Sequence, residues 1–295
     1  LVSLADKHVY SIPMILLIGW RGEPGIKDEP QHIKQGMITT QMLETLGINY
    51  EILSKEIDHA RFQINKARVK AEKDNAPFAL IARTDSFEKY EMKKKVTCSC
   101  TLIREEVLEY ILKNLNSGEI VVSTTGKTSR EIYEIRERNG EGHEKDFLVV
   151  GSMGHASSIA LGMNLALRGR KIVCIDGDGA FLMHMGAVAV IASHSEGNFK
   201  YIVINNGSHE SVGGQPTVGF DIDMPGIASA AGFRKCYRAK DRVELERHFV
   251  DFIGSNDNAF LEIRVKPGSR TDLGRPKSTP EENKRLFMSY IRQSC

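Results

Sequence analysis

Short apolar runs alternate with longer stretches of helical spacing along most of this chain, and that alternation restricts the fold more than any other feature. The runs cover residues 12–19, 48–53, 78–82, 120–123, 147–150, 171–175, 201–204 and 260–265. Between and after them, apolar residues recur at helical spacing over 39–46, 57–73, 104–115, 128–138, 155–168, 183–194, 224–231, 243–253 and 281–292. Strand-sized apolar runs separated by helices predict an α/β architecture with parallel sheets flanked by helices. The polar stretch 85–100 (DSFEKYEMKKKVTCSC) lacks periodicity and reads as a linker, with Lys93–Lys95 as a solvated run. Thr101 and Glu105 are candidate capping residues for the helix that follows.

Composition excludes several classes. Lys plus Arg number 40 against 38 Asp plus Glu, a net charge of +2, which does not suit a strongly basic nucleic-acid binder. No apolar run approaches the roughly 20 residues of a membrane helix. The five cysteines, Cys98, Cys100, Cys174, Cys236 and Cys295, are odd in number and irregular in spacing, so they predict free thiols in a reducing, cytoplasmic setting. Cys98 and Cys100 form a CxC pair without the companion ligands that a zinc site needs.

The chemistry-bearing signal is KIVCIDGDGAF followed by YIVINNGSHES. Asp178 closes one apolar strand and Asn206 follows the next, and in a parallel sheet both strand ends lie on the edge where open α/β folds bind ligands. A carboxylate and an amide oxygen are hard donors that suit Mg²⁺, which completes its shell with phosphate oxygens and water. The glycines beside Asp178 and after Asn206 admit close backbone approach. A dinucleotide fingerprint is incomplete, because Gly177 and Gly179 are followed by Leu182 where a third glycine is needed, and no P-loop occurs. Turn chemistry alone also accounts for either GDG or NNG taken singly.

GDG, about 25 residues and then NN together resemble the diphosphate-binding motif of thiamine diphosphate enzymes. The resemblance implies the thiamine diphosphate-binding fold, with thiamine diphosphate and Mg²⁺ as cofactors. It implies that Asp178, Asn206 and the Ser208 carbonyl hold the metal, and that Gly177, Gly179 and Ala180 border the cofactor. Gly151, Ser152 and Met153 resemble the segment supporting the bent cofactor, with Met153 as the apolar wedge, and Thr125, Gly126 and Lys127 the region at the diphosphate end. Over nearly the whole chain the pattern is similar to the phosphonopyruvate decarboxylase branch, with sulfopyruvate decarboxylases as near relatives. That implies decarboxylation of an anionic 2-oxo acid, with Arg21, Gln31, His32 and His155 as candidate catalytic residues, and Gln31 and His32 in a loop. His209 and Glu210 are candidate pocket-lining residues; Arg270 and Arg275 match the branch without an assignable role.

The resemblance further implies a division into 1–87, the back part of a pyrimidine-binding domain, a linker at 88–101, and a complete diphosphate- and Mg-binding domain at 102–295. The glutamate that activates the cofactor in this family is expected upstream of Leu1, and Glu23 and Glu29 are not substitutes. A chain so truncated is expected to be inactive alone and to expose apolar strand faces. Because the family site forms between subunits, self-association is implied, with neither nucleic acid nor membrane as a partner.

Overall fold

The structure is a computed structural model describing residues 1–93, 96–116 and 118–293. Lys94 and Lys95 of the lysine run, and Cys295, lie outside the described residues. The chain forms two compact units, Leu1–Glu91 and a second from Met92 onward.

In the first unit, a short helix α1 (Val2–Ala5) precedes β1 (Met14–Gly19), α2 (Pro30–Thr45), β2 (Asn49–Ile52), α3 (Ile57–Asp74) and β3 (Pro77–Ala82). The strands are all parallel in the order β1-β3-β2. Alternate residues of β3 face opposite layers: Phe78 and Leu80 pack with Ala67 and Ala71 of α3, while Ala79 and Ile81 pack with Leu43 of α2. Glu56 caps α3 by accepting from the N–H groups of Asp58 and His59, and Asn75 ends it in the left-handed region. The predicted buried strand over 12–19 is instead an edge strand whose Ile15 and Leu17 are 40% and 60% exposed. The helix predicted from residue 39 begins nine residues earlier, because Pro30 stands at its first turn, where its missing N–H costs nothing. Gln31 and His32 therefore lie on a helix, not in a loop.

The second unit carries α4 (Arg104–Lys113), β4 (Ile120–Ser123), α5 (Lys127–Arg138), β5 (Asp146–Leu148), α6 (Ala156–Ala166), β6 (Ile172–Gly177), α7 (Asp178–Met183), α8 (Ala187–His194) and β7 (Phe199–Asn205). A small hairpin of β8 (Ser208–His209) and β9 (Gln215–Pro216) follows, then α9 (Met224–Ala231), β10 (Lys235–Ala239), α10 (Arg242–Gly254), β11 (Ala259–Arg264) and α11 (Pro280–Gln293). Six parallel strands run in the order β10-β11-β7-β6-β4-β5. One face buries Leu108, Ile132 and Phe249 from α4, α5 and α10. The other buries Ala160, Ile191, Ala228 and Phe287 from α6, α8, α9 and α11. Fully covered strands explain why β6 and β7 read as continuous apolar runs.

Three expectations are corrected here. The helix expected over 183–194 is two helices, broken at His184–Gly186, and α7 begins directly at Asp178. Ile103, not Thr101, caps α4, and no side chain bonds its first turn. The β8–β9 hairpin and β10 were not anticipated, because two-residue strands and the half-polar KCYRA run carry little periodicity. Among the described residues, no helix is long and apolar enough to cross a membrane.

Candidate active site

The strand order fixes where a ligand can sit. From β4 the chain leaves through α5 to β5 on one side of the sheet, and β6 lies on the other side of β4. The crevice outside the carboxyl ends of β4 and β6 is thus a topological switch point. A cavity opens there, lined by Thr124, Thr125, Lys127 and Thr128 after β4 and by Gly177, Asp178, Gly179 and Ala180 after β6. Ile204, Asn206, Ser208, His209, Glu210 and Ser211 close it from β7 and the hairpin, with Met153 and Arg104 completing the wall.

Asp178 is 2% exposed at the first turn of α7. Its Oδ2 accepts from Thr217 Oγ1 at 2.5 Å and its Oδ1 from the Asn206 N–H at 3.4 Å. Burial pushes this carboxyl up, and the hydroxyl and amide donors only partly offset it. A buried carboxylate whose hydrogen-bond donors are uncharged is costly unless a cation joins it. Asn206 Oδ1 lies on the same wall and accepts from the Ser208 N–H at 3.0 Å. One carboxylate and one amide oxygen, with a nearby main-chain carbonyl, form a donor set that fits a hard cation retaining water and phosphate ligands. Among the described residues no group of three or more His, Cys, Asp or Glu has that capacity.

The surrounding backbone is built for close approach. A Cβ on Gly179 would stand 2.6 Å from His209 Nδ1, and one on Gly219 would stand 2.8 Å from Asp178 Oδ2. Gly179 is helical, so its glycine serves packing and not a turn; GDG passes straight from strand into helix. Gly126 has φ +97° and begins α5 without a side-chain cap, leaving main-chain N–H groups at that end for an anion. Thr125 Oγ1 accepts from the Gly151 N–H at 3.1 Å, tying the loop after β4 to the one carrying Met153. Ser152 holds φ +44°, an unusual conformation beside the wedge position.

A charged rail stands behind this wall. Arg104 donates to Glu131 through Nε and Nη2 at 2.7 and 2.8 Å, and to Glu210 through Nη1 at 2.5 Å. Lys127 Nζ is 3.4 Å from the other oxygen of Glu210. Burial pushes the Glu210 carboxyl up, but Arg104 and Lys127 outweigh it and hold the group below its usual range. Arg104 had no motif to announce it, since it lies on a helix distant in sequence. Thr217 likewise reaches Asp178 only through the fold of the hairpin.

Eleven of the sequence-predicted residues, Thr125, Lys127, Met153, Gly177, Asp178, Gly179, Ala180, Asn206, Ser208, His209 and Glu210, line this one cavity. His155 does not; it precedes α6, exposed, with its ring edge-on to His184 at 4.1 Å. Cys98 and Cys100 are free, and the Cys100 N–H donates to Cys98 Sγ at 3.3 Å. In the first unit, Arg21 and His32 converge on Asp28. Its carboxylate accepts from Arg21 Nε and Nη2 at 2.9 and 2.6 Å, from the Gly22 and Glu29 N–H groups, and meets His32 Nδ1 at 3.0 Å. The Arg21 guanidinium holds Asp28 well below the usual carboxylate range against partial burial. Gln31 Oε1 is buried and finds no hydrogen-bond partner.

Comparison with known proteins agrees with this geometry. A family profile described as "Thiamine pyrophosphate enzyme, C-terminal TPP binding domain" matches residues 124–263, which contain all of the cavity wall except Arg104. A phosphonopyruvate decarboxylase of Streptomyces viridochromogenes is 31% identical over 96% of this chain and 74% of its own length. The chain belongs to the phosphonopyruvate decarboxylase family of thiamine diphosphate enzymes. Within this family of decarboxylases, a sulfopyruvate decarboxylase of Methanosarcina acetivorans is 28% identical over 93% of this chain and 74% of its own length. A sulfopyruvate decarboxylase subunit beta of Methanocaldococcus jannaschii is 35% identical over 65% of this chain and 98% of its own length. The protein is accordingly a thiamine diphosphate-dependent decarboxylase, and all of the switch-point cavity wall except Arg104 lies within the matched domain.

Proposed function

We propose that the protein decarboxylates 3-phosphonopyruvate to phosphonoacetaldehyde and CO2 with thiamine diphosphate and Mg²⁺, within phosphonate biosynthesis. The carrying observation is the cavity in which Asp178, Asn206 and Ser208 meet Met153 and Thr125, in a chain whose whole-length identity is higher to the phosphonate enzyme than to the sulfonate one, 31% against 28%. When bound, the cofactor supplies the electron sink that a departing carboxylate requires. The chain binds and orients. Asp178, Asn206 and the Ser208 carbonyl hold Mg²⁺, while Lys127 and the N–H groups near Gly126 receive diphosphate charge. Gly177, Gly179 and Ala180 shape the floor, and Gly151, Ser152 and Met153 support the cofactor rings.

The catalytic roles fall to Arg21, Gln31, His32 and His155. Asp28 supports the reading of His32 as a proton carrier, because an acceptor at Nδ1 leaves Nε2 as the atom that holds or moves the proton. Arg21, a planar cation oriented by Asp28, suits an anionic 2-oxo acid. The domain reading is a pyrimidine-side unit over 1–87, a linker at 88–101 and a diphosphate unit over 102–295. Self-association completes the proposal, and the beta-subunit name of the M. jannaschii relative supports assembly. The test is CO2 release by the gene product with Mg²⁺ and thiamine diphosphate, from 3-phosphonopyruvate and from sulfopyruvate in parallel. Faster turnover of the phosphonate is expected; preference for the sulfonate overturns the substrate assignment.

A further inference from the structure

An asparagine amide presents an oxygen on one side and two N–H donors on the other, and only the oxygen can ligate a hard cation. Some group must therefore fix which side of Asn206 faces the metal position. In this chain that group is acceptor-only: Glu210 Oε2 lies 3.0 Å from Asn206 Nδ2. A carboxylate cannot accept from the amide oxygen, so the amide is held with Nδ2 toward Glu210. The Ser208 N–H, which donates to Asn206 Oδ1, fixes the same orientation from the opposite side.

Glu210 is itself anchored. Its Oε2 also accepts from Arg104 Nη1, and Arg104 is locked by two hydrogen bonds to Glu131. Arg104 and Glu131 are 5% and 1% exposed, so this anchor is an interior structure and not a surface pair. Among the described residues, the other oxygen has the looser Lys127 contact at 3.4 Å. The two oxygens thus divide their tasks: Oε2 is bound into the rail, while Lys127 stays able to turn toward an anion.

We propose that Glu210 is a positioning residue for the metal ligand Asn206, turning the amide oxygen toward the cation through a rail that runs from Glu131 through Arg104. The proposal rests on the reading of Asp178 and Asn206 as Mg²⁺ ligands. Its rival, that Glu210 competes with diphosphate for Lys127 and Arg104, has the opposite sign: removing Glu210 would then tighten cofactor binding.

The experiment is equilibrium dialysis of thiamine diphosphate against a Mg²⁺ titration, with melting temperatures checking the fold. Glu210→Ala is expected to raise the Mg²⁺ concentration for half-maximal binding by roughly 10–100-fold, the range seen when outer-shell partners of metal ligands are removed. Glu210→Gln keeps an acceptor oxygen and is expected to recover most of that loss. An unchanged or lowered Mg²⁺ requirement in Glu210→Ala overturns the proposal. Should that variant unfold, the Asn206→Asp background decides. There the carboxylates at 206 and 210 repel, so adding Glu210→Gln is expected to lower the Mg²⁺ requirement, and equal requirements overturn the contact. Asp178→Ala in the same assay separates the levels. Binding lost there but unaltered in Glu210→Ala sinks only the positioning role; binding unaltered in Asp178→Ala sinks the metal reading beneath it.

Discussion

Asp178 is a buried carboxyl that, among the described residues, accepts hydrogen bonds from the uncharged Thr217 hydroxyl and Asn206 N–H. Replacing it with Asn keeps the shape and the Thr217 contact but removes the charge. Asp178→Asn is expected to weaken Mg²⁺-dependent thiamine diphosphate binding by more than the roughly 10–100-fold of an outer-shell loss, measured by calorimetric titration. Asp28 illustrates the opposite electrostatic case. Its folded-state value is lowered, chiefly by Arg21, so its contribution to stability is complete above the unfolded-state value of about 4 and fades as pH falls below it. Asp28→Asn is therefore expected to melt below the parent by a constant margin above about pH 5, and the margin to narrow only in stronger acid. A margin that instead grows on acidification would contradict the pairing. Both residues sit in short polar stretches of the sequence, yet only Asp178 was legible there. GDG and NN form a spaced motif, whereas Asp28 is one acid among several in GEPGIKDEP and acquires meaning only when Arg21 and His32 fold onto it.

The strands that carry the site were legible as apolar runs, whereas two helix starts, those of α2 and α7, were not. Apolar runs mark β4, β6, β7 and β11 because those strands are covered on both faces. Helix starts depend on single residues: Pro30 launched α2 inside a stretch that composition marked as loop, and Gly179 concealed α7 because glycine there answers to His209 packing. The loop holding Met153 is constrained in a similar way. Gly154 has φ +89°, and a Cβ there would come within 2.5 Å of the His184 ring and 2.9 Å of the Ala180 carbonyl. Gly154→Ala is expected to cost about 1–3 kcal/mol of stability through backbone strain and to loosen cofactor binding, since Ala180 belongs to the cavity floor; denaturant melts and dialysis read the two effects. Behind β7, Glu262 is wholly buried and serves Arg238 at 2.6 Å, Arg264 at 2.9 Å and Asn205 at 2.8 Å. Asn205 in turn bonds Gly207 before the hairpin and Gly219 after it. Removing one partner of such a cluster strands the others, so Glu262→Ala is expected to destabilise the second unit by about 3–5 kcal/mol, a loss that chemical denaturation would register.

On the scale of the whole molecule, the alternation of strands and helices was enough to specify parallel sheets, but not their order. Strand order follows from long-range pairing, such as β11 inserting between β10 and β7, which no local pattern encodes. The same limit hid Arg104, whose importance lies in a contact with Glu210 more than one hundred positions away, and not in its neighbours in sequence. Exposed apolar side chains, among them Leu17, Leu165, Met183 and Val190, are numerous for a chain that would act alone. Self-association predicts a light-scattering mass at least twice the 32.9 kDa of one chain; a monomer at working concentration would count against the proposed assembly.

The two strands that deliver Asp178 and Asn206, β6 and β7, are neither of them at an edge of the six-stranded sheet. Amide hydrogens in such central strands exchange with solvent only through the rarest openings. The cradle therefore persists between one turnover and the next. In the proposed site, thiamine diphosphate would then meet a surface already shaped, and little ordering entropy would be spent on binding it.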